Sequence, residues 1–186
     1  MSSDQSHMLN TLQIMGASLL MVQLAERWLA MAVETVLKDP TLTVDKLMGQ
    51  TEQERNRTLG EFLWQLKKSV RLEPKFKEDL YRFLKLRNTF VHNLSEVPGG
   101  FKLTTEKGRE GAMEFLAELL ALAMLIAGVF VSVMKVSGRV KADEASTDAK
   151  RLFSMMEEHF GPAARKILAG RTRKRLLVHS RGNPNK

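Results

Sequence analysis

Within the eleven residues Leu84–Leu94, LKLRNTFVHNL, stand an arginine, an amide and one of only four histidines in the chain: Arg87, Asn88 and His92. Together these side chains are suited to acid–base chemistry on a phosphate. An imidazole exchanges protons near neutral pH, and a guanidinium grips anionic oxygens through fixed N–H donors. An amide can orient either of them, or a sugar hydroxyl. The same residues also permit a purely structural reading. Arg87 then snorkels or pairs with a core carboxylate, while Asn88 and His92 close the end of a helix.

The element that must position them is a helix opening at LEPKFKEDLY, with Pro74 at a first helical position, and ending near His92 or Asn93. At about 100° per residue, Tyr81, Lys85, Asn88 and His92 fall within about 40° of one line, a polar stripe. Leu80, Phe83, Leu84, Phe90 and Val91 occupy the opposite side, which is expected to face the core. Arg87 lands amid that apolar side, about 140° from His92. A guanidinium stays charged, so Arg87 needs an acid, a carbonyl or a route to solvent. Either the helix frays or bends at the motif, or a second subunit packs there.

The surrounding sequence is helical in character. Of its 186 residues, 44% are hydrophobic and only 6% aromatic, a composition that predicts an all-α chain. About five helical segments are legible, arranged as an antiparallel bundle. The first spans about Met8 to Lys38 and stops before Pro40. A second begins at Thr58, where TLGE reads as a capping box, and runs to about Val70. The motif helix is third. After the turn-rich SEVPGGFKLTT, Thr104 or Thr105 caps a fourth that runs to about Val136. A fifth starts at Ser146 or Thr147, breaks at Gly161-Pro162 and resumes briefly. Residues 1–160 are read as one helical domain and 161–186 as a basic tail, expected to be flexible.

Charge is concentrated in that tail. From Gly161 onward there are eight basic residues and no acid, so the remaining 21 basic and 21 acidic residues cancel and the tail supplies the whole net charge of +8. Such a segment suits a polyanion such as RNA or DNA, or serves only as a solvated terminus. No secretory pattern opens the chain, and a cytoplasmic location is expected. Leu119–Met134 is sixteen residues without a charge. It is shorter than the ~20 apolar residues of a membrane span and reads as a core or dimer-interface helix.

Other chemistries find little footing. The chain has no cysteine, and no HExxH occurs, so neither a thiolate nor a zincin metal site is expected, and no cofactor is implied. His7, His159 and His179 lie far apart. There is no Walker or dinucleotide glycine pattern and no GxSxG elbow. The eleven methionines read as core filler.

RNTFVH resembles the signature of the HEPN superfamily, in which an arginine followed by Asn, Asp or His precedes a histidine by four to six positions. The context is similar over about Met8–Val136: an upstream helix of the TLGEFLWQL type, the motif near the end of the next helix, a glycine-containing loop, then a long apolar helix. The resemblance implies a helical domain that dimerises through the motif-bearing helices and acts as a metal-independent endoribonuclease, often a toxin of a toxin–antitoxin or phage-defence system. His92 matches the catalytic histidine, Arg87 the arginine and Asn88 the adjacent polar position.

On that reading His92 transfers protons, Arg87 grips the scissile phosphate and Asn88 orients the histidine or the sugar. A dimer offers two His92 side chains, an acid and a base. Tyr81 and Lys85 extend the cleft by stacking and phosphate contact, and Arg171, Arg173, Lys174 and Arg175 supply further RNA contacts. The expected partners are RNA, a second copy, and a cognate antitoxin or regulatory protein, with no membrane. The alternative is a non-catalytic HEPN-like module that binds RNA or protein as an adaptor or regulator.

Overall fold

Apolar residues recurring every three or four positions dictate helix, and the computed structural model of the chain is all-α, with no strand among the described residues. The structure describes residues 3–33, 36, 66, 70, 72–138 and 147–181. Four helices are described: α1 (Ser3–Ala32), α2 (Pro74–His92), α3 (Glu106–Val136) and α4 (Thr147–Arg181). Short 3-10 turns at Leu94–Glu96 and Pro98–Phe101 join α2 to α3. The expected end of the first helix at Lys38 and the capping box at Thr58 lie outside the described residues. Two compact units share these helices: Met1–Ala25 with Lys75–Ile126, and Glu26–Pro74 with Ala127–Lys186.

In the first unit, α2 buries Phe76, Leu80, Phe83 and Phe90. The Arg82 guanidinium pairs with Glu118 on α3, and the Phe90 and Phe115 rings sit 6.5 Å apart, tilted by 37°. Partner numbers on α3 fall as those on α2 rise, so the two helices are antiparallel. Pro74 opens α2 as expected. Thr105 caps α3, its Oγ1 accepting the Gly108 N–H at 3.2 Å. The connection presses directly on α3: a Cβ at Gly111 would stand 2.1 Å from the Pro98 carbonyl oxygen. Glycine at that point lets backbone meet backbone.

The second unit is organised by the last turns of α3 against α4. Val129, Phe130, Val133 and Met134 are fully buried, as are Ala164 and, nearly so, Ile167. Ser132 Oγ donates to the Met156 carbonyl at 3.1 Å, and Lys166 reaches both Glu73 carboxylate oxygens at 3.0 Å. The Phe160 ring packs against Gly128, where a Cβ would come within 2.2 Å of it. Gly128→Ala therefore has to displace a packed aromatic ring. The expected loss is about 1–3 kcal/mol by overpacking, outweighing the ~1 kcal/mol helix-propensity gain at most sites, and urea unfolding of the variant measures it.

Lys135 bonds to Glu157, and that hydrogen bond, with the charges of Lys135 and Arg165, holds the Glu157 carboxyl below the usual carboxylate range. A depressed carboxyl stabilises the fold above its unfolded-state pKa, and that contribution disappears as pH falls through its folded value. Wild type is expected to lose more melting temperature than Glu157→Gln as pH drops from 6 to 3, by a small margin because the pair is partly exposed. Thermal melts across that range check it.

Helix α4 corrects one expectation. It does not break at Gly161-Pro162 but runs through Pro162 to Arg181. Proline removes one backbone donor, yet the helix continues past it, with Ala164 and Ile167 buried on its far side. The backbone of residues 171–175 is thus helical.

The apolar stretch Leu119–Met134 behaves as core. Leu119, Ala123 and Ile126 are fully buried in the first unit, and Ala127 through Met134 are buried in the second. Both α1, over Ser6–Ala32, and α3 are long and apolar enough to cross a membrane, but the two differ in burial. The apolar window of α3 is 61% buried and that of α1 only 22%.

Candidate active site

Helix α2 is unbroken to His92, so the motif neither frays nor bends ahead of its histidine. Tyr81, Lys85, Asn88 and His92 are all exposed, in keeping with a polar stripe along one side. Arg87, on the apolar side by helical geometry, is half-buried. Its Nη1 donates to Asn88 Oδ1 at 3.2 Å, which draws the guanidinium toward the stripe. The need for a carbonyl is met by the adjacent amide. That contact also fixes the Asn88 amide with its oxygen toward the arginine, leaving its NH₂ available to donate.

One side-chain expectation changes. Val91 was expected on the core face but is 45% exposed. It stands about 80° around the helix from the fully buried Phe83, at the edge of the packed face. Leu84, about 100° away, is half-buried for the same reason.

Electrostatically the motif end of α2 is basic. From Tyr81 to His92 there are Arg82, Lys85 and Arg87 and no acid. Arg82 pairs with Glu118 on α3, and Lys85 is exposed on the stripe itself. Within one chain Arg87 and His92 leave the helix about 140° apart, so the structure brings Arg87 to Asn88 but does not set His92 beside them. The side chains of Arg171, Arg173, Lys174 and Arg175 lie outside the described residues.

Apart from the motif, the first unit holds an open groove of about 290 Å³ lined by His7, Asn10, Thr11, Glu106, Arg109, Glu110 and Met113. Thr11 Oγ1 donates to the His7 carbonyl at 3.0 Å, and Arg109 Nη1 donates to the Leu103 carbonyl at 3.3 Å. His7 is therefore not isolated, as sequence distance suggests, but faces an acid-bearing helix start. Spacing within α1 could not reveal this, because the partners lie about a hundred residues away in the chain. No group of three or more His, Asp or Glu side chains disposed to hold a metal ion occurs among the described residues. Comparison of the chain with family models, with curated proteins and with solved structures returns no match.

Proposed function

We propose that this protein is an endoribonuclease of the HEPN type, cutting RNA without a metal ion and acting as a dimer built along α2. The observation that carries the reading is the Arg-Asn-x-x-x-His motif, with Asn88 and His92 exposed on a polar stripe and Arg87 drawn toward it by Asn88. RNA supplies its own nucleophile. A base takes the 2′-hydroxyl proton as the 2′-oxygen bonds to phosphorus; the P–O5′ bond breaks, and an acid protonates the departing 5′-oxygen. Arg87 balances the charge that builds on the phosphoryl oxygens, His92 moves the protons, and the Asn88 amide donates to the sugar or phosphate. A second copy supplies the His92 that one unbroken helix turns away from its own Arg87. Tyr81 and Lys85 lengthen the contact by stacking and charge. A toxin or defence setting, with a protein antidote, follows from the resemblance.

The second reading, an RNA-binding or adaptor module that does not cut, draws on the same basic stripe. Product chemistry separates them. Purified protein incubated with total RNA in EDTA is expected to leave 2′,3′-cyclic phosphate and 5′-hydroxyl ends. Binding without new ends would favour the non-catalytic module.

A further inference from the structure

Helix α1 carries a second surface that the nuclease reading does not use. Its buried side is narrow, formed by Thr11, Ser18, Val22, Ala25 and Leu29. On the other side Met8, Leu9, Leu12, Leu19, Leu20 and Leu24 are 40%, 47%, 45%, 43%, 67% and 39% exposed. From Gln5 to Ala25 there is no Asp, Glu, Lys or Arg. An apolar face with no charge, left open along some five turns, calls for a cover.

The spacing indicates what the cover is. Met8, Leu12, Gly16, Leu20 and Leu24 form one row at intervals of four, with the glycine at its centre and the row symmetric about it. Rows at that interval are the ridges that interdigitate when two helices cross at about 50°. At a crossing the backbones come closest, and Gly16 is where they can: a Cβ there would meet nothing within 4 Å. A two-fold axis at Gly16 sets glycine on glycine, with Leu12 and Leu20 flanking on both copies.

The six exposed side chains present roughly 500 Å² of apolar surface per copy, of which those flanking Gly16 would meet at a crossing, a contact smaller than the ~800 Å² per partner of a standard interface. The absence of charge means that two copies bring no like charges together.

We infer that α1 is a self-association surface on which a second copy of this chain crosses at Gly16. The contact is separate from the motif helix and stands whether or not the protein cuts RNA.

The chain has no cysteine, so single reporters can be placed cleanly. Under mild oxidation Gly16→Cys is expected to form a disulfide-linked dimer, since crossing helices bring the two positions within the ~4.4–6.8 Å Cα separation a disulfide needs. Ser154→Cys, exposed on α4, serves as the collision control and should not link. Adding Leu12→Glu and Leu20→Glu to Gly16→Cys should lower the yield at least ~10-fold, because the charges would be buried unpaired. Both leucines are exposed, so circular dichroism should show the variant folded. Three results would overturn the inference: no Gly16→Cys dimer at high protein concentration, a dimer that persists in the glutamate variant, or co-sedimentation of the wild type with phosphatidylcholine or phosphatidylglycerol vesicles without any cross-link.

Discussion

His92→Ala is expected to lower RNA cleavage by about 10²- to 10⁴-fold, the range supplied by positioned acid–base groups, while leaving RNA affinity and folding nearly unchanged. The side chain is exposed at the last turn of α2, and none of the described hydrogen bonds or ion pairs uses it, so its removal opens no cavity. A change in rate without a change in binding isolates proton transfer from phosphate grip. Rates under single turnover, paired with RNA binding in chelator, provide that separation. Arg87→Ala should behave differently. It removes charge from the phosphate and also the bond to Asn88, so both binding and rate should fall.

The second large effect concerns the division of the site between copies. Because α2 is continuous, Arg87 and His92 leave it about 140° apart, and on the proposed dimer reading each phosphate site would take one from each copy. His92→Ala and Arg87→Ala are each expected to be inactive alone. Refolded or co-expressed in equal amounts, they should recover about a quarter of wild-type activity: half the dimers are mixed, and each mixed dimer holds one of its two sites intact. No recovery, with mixed dimers demonstrated by tag pull-down, would show that the groups act from one chain or that every group is needed twice.

The parts of this molecule legible from sequence are those with local causes. Pro74 starts α2 and Thr105 caps α3 because proline at a first turn and a hydroxyl aimed at the Gly108 N–H are short-range devices. The stripe through Asn88 and His92 follows from 100° of rotation per residue. Long-range packing was not legible. The sequence predicts a break at Gly161-Pro162 before the helix resumes, whereas α4 is continuous, with Ala164 and Ile167 buried beyond the proline. Gly128 gives no hint of Phe160 in the sequence, since the ring arrives from thirty-two positions away. The open face of α1 was hidden for a related reason. Periodicity reveals a wide apolar surface on that helix but not which part of it the rest of the chain covers.

The site divides along the same line. Arg87, Asn88 and His92 could be chosen by type and spacing, and the resemblance gave them roles. The Arg87–Asn88 hydrogen bond and the groove beside His7 required coordinates, because one depends on rotamers and the other on helices far apart in sequence.

The most direct measurement is RNA cleavage by wild type beside His92→Ala, both in EDTA, on a pool containing ribosomal, messenger and transfer RNA, with product ends identified. Wild type is expected to leave cyclic phosphate ends and the variant essentially none. Cleavage at equal rates by two folded proteins, or no cleavage of any RNA in the pool by wild type, would contradict the nuclease reading.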